Sequence, residues 1–328
     1  MIFRRARMSE LDEIAHLQQL VFRPDQPASV ARYLAYTNED PFYTLDHSRV
    51  IEVDGRIAAH LRIWDRTVMV RGVPLLAAGI GSLYVHPSYR GRGYARALMR
   101  DSERYFLDAG YDFGLLFTII GTPFYEAMDW IPISLPAFRF SSMDVTRTGL
   151  DIQALDISRD LDEVRALYTR CGMSHTGAVL RDKAYWTSGP ARFRSSFPQW
   201  GVSRDNQLVA YVSLDLDENE IWVKEICVSP EDSLALVDLA SKVLGLCRGI
   251  LTGSLPKGHP FVHVLETISF TRAVWETHDE MMVKGVNWAR MREKLGLDGI
   301  PDHGPESEAA FWPSLLGPDV FYWWTDIF

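Results

Sequence analysis

The chain has 328 residues, with 34 basic and 43 acidic side chains, 47% apolar and 23% charged residues overall. That length suggests about two domains, and that composition excludes wholesale disorder. No apolar run approaches the ~20 residues of a membrane span. The polar stretch after Met1-Ile2-Phe3-Arg4-Arg5 does not read as a secretion signal. Three widely spaced cysteines, Cys171, Cys227 and Cys247, fit a reducing cytoplasm, with neither a disulfide framework nor a metal site.

Ile2–Arg5 reads as a short strand. Ser9 stands where a helix N-cap would, with Glu10, Asp12 and Glu13 in the first turn and an apolar face running to Phe22. Pro24–His47 reads as a loop or a weak helix. Arg49–Val53, the turn dipeptide Asp54-Gly55 and Arg56–Trp64 predict a hairpin. A third strand follows over Thr67–Val70. Leu75–Val85 reads as a central strand, where Gly79 and Gly81 are compatible with a bulge. A helix is predicted after Gly93 to near Gly110, then a strand over Phe113–Ile119 and a short helix from Pro123. Pro132, Pro136 and the polar Ser141–Gly149 place a boundary near residue 145.

In the second half, Asp160–Tyr168 and Ser233–Leu246 read as helices. Gly201–Ser203, Leu208–Leu214, Ile221–Val228 and Phe261–Ile268 read as strands. Strands, a central helix and a strand recur in the order of the first half, a pattern compatible with a repeat. From Pro301 the tail has four prolines, and seven aromatic residues between Phe311 and Phe328. It reads as irregular and docked on the body.

The charge is unevenly placed. Residues 1–140 hold 16 basic and 16 acidic side chains, so the net charge of −9 lies wholly in residues 141–328. After Lys294 there are six acids and no Lys or Arg. A nucleic-acid partner needs a basic face and is excluded as an expectation. A cationic ligand is favoured.

One segment carries the chemistry. Val85-His86-Pro87-Ser88-Tyr89-Arg90-Gly91-Arg92-Gly93-Tyr94-Ala95 places a glycine-rich loop between a buried strand and a helix. Glycines let backbone amides approach an anion, the helix N-terminus adds unpaired N–H groups, and Arg90 and Arg92 add cationic donors. No Gly-Lys-Ser/Thr follows, so it is not a Walker loop. The spacing and context also fit a dinucleotide fingerprint poorly.

This segment resembles the acetyl-coenzyme A motif of the GCN5-related N-acetyltransferase (GNAT) superfamily, Arg/Gln-x-x-Gly-x-Gly/Ala, here Arg90 to Ala95. The resemblance implies acetyl-coenzyme A as cofactor, with Arg90, Gly91, Arg92, Gly93, Tyr94 and Ala95 at its pyrophosphate. It implies backbone contacts from Leu83, Tyr84 and Val85 to the pantetheine arm. Phe124-Tyr125-Glu126 matches a second family feature and makes Tyr125 the acid for the leaving thiol. Thr118 stands where many members have Asn, and Met128-Asp129-Trp130 replaces the commoner Gly-Phe. A catalytic half followed by a half without the loop is similar to the enhanced-intracellular-survival type.

The expected fold class is therefore α/β (α+β), two GNAT-like domains in tandem. Each has a mixed, mostly antiparallel sheet flanked by helices, and the second is degenerate. The division is 1–145 for the cofactor domain, 146–300 for the degenerate domain and 301–328 for the tail. The implied activity is N-acetylation of a primary amine on a cationic small molecule. Transfer to a protein amine and a non-catalytic acyl-coenzyme A sensor are the alternatives. The survival-type resemblance also makes the carboxylate of Phe328 a candidate base or amine anchor. No membrane partner is expected, and a homo-oligomer is compatible with the resemblance.

Overall fold

In the computed structural model, residues 1–141, 152–188, 197–297 and 305–317 are described, with Val320, Tyr322 and Asp326 of the tail. The expected boundary near residue 145 and Phe328 lie outside the described residues. None of the described helices is long and apolar enough to cross a membrane.

The first half runs β1 (Ile2–Arg5), α1 (Leu11–Phe22), α2 (Ser29–Asn38), β2 (Ser48–Val53), β3 (Arg56–Val70), β4 (Val73–Val85), α3 (Tyr94–Ala109), β5 (Phe113–Phe117), α4 (Pro123–Glu126) and β6 (Ile131–Phe140). The second runs β7 (Gln153–Ala154), α5 (Ile157–Cys171), α6 (Lys183–Thr187), β8 (Gln199–Arg204), β9 (Gln207–Leu216), β10 (Glu220–Val228), α7 (Ser233–Leu246), β11 (Ile250–Ser254), α8 (Pro260–Ser269) and β12 (Val274–Gly285). Helices α9 (Trp288–Leu295) and α10 (Pro305–Leu316) follow.

The twelve strands among the described residues form one sheet, in the order β1-β2-β3-β4-β5-β12-β6-β11-β10-β9-β8-β7. Read from either edge inward, the order is five strands of one half followed by the sixth strand of the other. The halves are thus a structural repeat that has exchanged its last strands. The parallel pair β4·β5 matches the parallel pair β10·β11, and all other pairs are antiparallel. Helix α3 covers one face of the first half, where Leu98, Met99 and Phe106 pack on Leu61, Ile63, Ala78 and Ile80.

Several expectations change. Ser9 caps nothing; instead Glu10 reaches back to the Arg7 amide at 2.7 Å, and α1 begins at Leu11. The strand expected at Thr67–Val70 is continuous with Arg56–Trp64 in the 15-residue β3. The bulge sits one residue beyond Gly81. Gly81 opposes Arg62 and Tyr84 opposes His60, so Ser82 and Leu83 face Leu61 alone. Ser82 takes the left-handed conformation, φ 53°, that a bulge of this kind requires. Phe261–Ile268 is helical, not a strand. The His259 side chain accepts the Phe261 amide and Pro260 occupies the first turn, which starts a helix and not a strand. Its apolar residues Phe261, Val262 and Leu265 lie on one buried face. The tail is not wholly irregular, because α10 is a helix that buries Trp312 against Phe113 at 5.3 Å between ring centroids.

The halves are joined by more than the sheet. The Leu180 amide donates to Thr67 O and the Met69 amide to Ala178 O, both at 2.8 Å. Fully buried Asp112 accepts from Arg290 and Lys294 of α9. Arg181 has no exposed side-chain surface. It grips Glu225 at 2.9 and 2.7 Å and Asp326 of the tail at 3.0 and 2.6 Å, while the Tyr185 hydroxyl also donates to Asp326. Its guanidinium lies 3.9 Å from the Tyr168 ring centroid.

Burial also isolates His60 on β3. It is 1% exposed, and neither ring nitrogen has a hydrogen-bond partner. Its ring lies 5.3 Å from that of Tyr84, whose hydroxyl is buried without a partner. Burial first and the Arg62 charge second press the imidazole pKa down to about 3, against a smaller pull from the Ser82 backbone.

Two outcomes follow for stability. Arg181→Met leaves Glu225 and Asp326 as buried charges and is expected to cost about 3–5 kcal/mol in chemical denaturation. Because the folded state resists protonating His60, the unfolded chain binds more protons between its ordinary pKa near 6.5 and about 3. Stability therefore falls as pH drops through that window. His60→Gln should flatten this dependence, measured as unfolding free energy against pH.

Candidate active site

The cleft arises from a failure of two strands to stay paired. β4 and β5 pair over only four positions, Ala77↔Phe113 to Ile80↔Leu116. Beyond Ile80 the bulge at Ser82 and Leu83 turns β4 away, while β5 stays on β12 along its other edge, where the Thr118 amide donates to Glu280 O. The stretch Leu83, Tyr84 and Val85 is therefore without a β5 neighbour, while its other edge remains on β3 at His60 and Ala59. Leu83 and Val85 pack toward α3, and Tyr84 turns to the opposite face against His60 and Phe22.

The glycine loop leaves this strand through a turn. The His86 ring accepts the Ser88 amide at 3.2 Å and Pro87–Tyr89 form one 3-10 turn. Gly91 and Gly93 have φ of 75° and 76°, and a Cβ added at either would meet nothing within 4 Å. These glycines are required by backbone conformation and not by crowding. The first i→i−4 bond of α3 runs from Ala97 N–H to Gly93 O at 3.0 Å. The amides of Tyr94, Ala95 and Arg96 thus have no acceptor within the helix. Arg90, Arg92 and Arg96 are exposed around them. Open space, turned amides and three guanidiniums form a cradle suited to a pyrophosphate.

Helix α4 brings Tyr125 to the same place. The Arg96 guanidinium lies 5.9 Å from the Phe124 ring centroid, which sets α4 against the first turn of α3. Tyr125 is 8% exposed and packs in the cluster that includes Leu83, Val85 and Tyr94. Burial pushes its phenol up to about 12, so it holds its proton at neutral pH. The expected cofactor residues and Tyr125 are thus brought together. Phe328 lies outside the described residues, and the nearest described residue of the tail is Asp326, held by Arg181.

On the other face of the bulge is a narrow cleft that pattern reasoning did not single out. Gln18, Tyr33 and Tyr36 from α1 and α2 meet His60, Arg62 and Trp64 of β3 beside Ser82. Arg62 is 3% exposed and paired with Asp40 at 2.8 Å, with its guanidinium 4.0 Å from the Tyr43 ring and 4.4 Å from Trp64. Burial lowers its pKa to about 10, and Asp40 opposes that. Alternation along β3 was the available signal, because His60, Arg62 and Trp64 share one face.

A family model described as an acetyltransferase (GNAT) domain matches residues 3–133. No curated protein matches the chain significantly. A probable N-acyltransferase from Enterococcus faecalis shares the fold at TM-score 0.72 and 17% identity, over 89% of this chain and 74% of that one. Eis1 from Mycobacterium abscessus is similar at TM-score 0.61 and 16% identity, over 88% and 74%. Saccharomyces cerevisiae N-myristoyltransferase, solved with myristoyl-CoA, is similar at TM-score 0.55 and 10% identity, over 87% and 78%. These likenesses show the fold, and the family model covers the half that carries the glycine loop. Residues 3–133 thus match the acetyltransferase (GNAT) domain family, and the chain as a whole shares the fold of these solved structures.

Proposed function

We propose that the protein acetylates a primary amine on a cationic small molecule by direct transfer, with Tyr125 as general acid. The observation that carries this reading is the convergence of three things on one cleft. They are the unpaired edge of Leu83, Tyr84 and Val85, the Gly91–Gly93 cradle, and a buried phenol that keeps its proton. Bound acetyl-CoA supplies an activated carbonyl and a thiol leaving group. Arg90, Arg92 and the amides from Gly91 to Ala95 hold its pyrophosphate, and the backbone of Leu83–Val85 aligns the pantetheine arm. The Tyr84 and Val85 amides are the donors for the carbonyl oxygen. Tyr125 Oη holds a proton for the departing sulfur.

The acceptor approaches from the α1–α2 side, where Tyr33 and Tyr36 stand beside the bulge. A further cavity of about 200 Å³ between the halves has Asp65 from the first half and Asp182 from the second in its wall, with Arg66 and Tyr185. Two carboxylates against one guanidinium, and the acid excess of the second half, support a cationic acceptor. The Phe328 carboxylate remains the proposed base. The charge of Asp326, two residues before Phe328, stabilises the Arg66 guanidinium.

Release of free coenzyme A from acetyl-CoA across a panel of mono- and polyamines tests the reading. Turnover rising with the number of cationic groups is expected. Tight cofactor binding without turnover on any amine would instead favour a sensor. Tyr125→Phe should lower kcat by about 10² or more with the amine KM little changed. Combined Arg90→Gln and Gly93→Ala should raise the acetyl-CoA KM at least about tenfold, by lost cationic donors and an alanine held in the left-handed region at a cost of about 1–2 kcal/mol.

A further inference from the structure

The second half repeats the cleft as well as the strand order. β10 and β11 pair over four positions, Glu220↔Ile250 to Val223↔Gly253, and then part. The register of β10 on β9 shifts at the same point, between Val223 and Glu225. In the first half the pairing of β4 with β5 ends at Ile80 and the bulge follows at once. Val228-Ser229-Pro230 therefore stands where Val85-His86-Pro87 does. His259-Pro260-Phe261 at the start of α8 stands where Thr122-Pro123-Phe124 opens α4, which puts Val262 in the place of Tyr125. Where β10 parts from β11, a cavity of about 320 Å³ lies at the end of β10, with Ile226, Cys227, Val228 and Leu236 in its wall and His175 and His259 among its polar groups.

What this cavity lacks decides what it takes. None of residues 229–232 has a positive φ, and the loop contains Glu231 and Asp232 but no Arg or Lys. The Asp232 carboxylate accepts the Ala235 amide at 2.9 Å and lies 3.4 Å from Arg204. There is thus no cradle for a pyrophosphate, and the carboxylate at the rim is already engaged. Burial holds Cys171 and Cys227 as thiols and His259 as a neutral imidazole, its pKa lowered to about 4. The His259 Nδ1 accepts the Phe261 amide at 3.2 Å, so its one proton is on Nε2. The volume is at the small end for a small-molecule site.

We propose that the second half is a non-catalytic binding site for a compact, uncharged, largely apolar molecule, seated in the counterpart of the coenzyme cleft at the end of β10 and the start of α7. The site would read size and neutrality, and Val262 leaves it without a counterpart of Tyr125. This inference does not depend on the acceptor or on the role of Tyr125.

Indole, with its anionic relative indole-3-acetate and its cationic relative tryptamine, forms a matched probe set for the full-length protein. Calorimetry is expected to show saturable indole binding, at least tenfold weaker binding of both charged relatives, and no displacement of indole by coenzyme A. Leu236→Trp, which fills the cavity, should abolish indole binding while coenzyme A affinity stays within twofold. Ser233→Trp blocks the exposed rim and gives the same test without altering the core. No indole binding by the unmodified protein, displacement by coenzyme A, or indole binding unchanged in Ser233→Trp would each overturn the proposal. None of these results bears on acetyl transfer in the first half, which the coenzyme A release assay reads separately.

Discussion

The antiparallel pairing of β6 with β12 is the constraint on which the rest of the molecule rests. It runs from Val274↔Arg139 to Val283↔Ile131, with one shift near Leu135, and joins a strand of the first half to a strand of the second at the centre of the sheet. Each half offers its sixth strand to the other, β12 to β5 and β6 to β11. Neither half can therefore complete its sheet alone. The splayed strands that make the clefts lie one or two strands from this seam, so their geometry is set by both halves together. Arg181 repeats the same logic in side chains, because its buried guanidinium ties Glu225 of β10 to Asp326 of the tail.

The cofactor side of the molecule was legible because its signals are local. A proline after a buried strand, glycines that must take positive φ, and an amphipathic helix are properties of adjacent residues, and Gly93, Tyr94 and Gly110 stand where those rules put them. Helix α7 likewise starts and stops at the expected residues, since Asp232 caps a strongly apolar run. The ambiguous elements were short apolar runs. Eight residues from Phe261 fit a buried strand as well as a helix, and only His259 and Pro260 broke the tie. β6 was hidden by Pro132 and Pro136, which ordinarily argue against a central strand. β12 was hidden by Glu276, His278, Asp279 and Glu280, whose polarity hides a strand that buries only Met281, Met282 and Val283.

The exchange of strands was not legible at all. It depends on pairing between residues about 165 positions apart, as Met281 with Phe117, and no local pattern records it. The bulge shows the same limit on a smaller scale. Glycines pointed to the right strand, but the left-handed residue is Ser82, and its position is dictated by what β3 presents opposite it. The acceptor-side cleft was missed for a related reason. Its residues come from three elements, and only the fold places Tyr33 and Tyr36 over His60 and Trp64.

The seam has a consequence for synthesis. When a ribosome has released the whole first half, β5 still has a bare edge, because its partner β12 ends at Gly285 and has not yet emerged. An unpaired central edge is a template for wrong partners, and long-range pairing is slow to form. The nascent chain must therefore hold its first half open for about half of its translation, and the protein acquires its finished cleft only as the last quarter of the polypeptide is made.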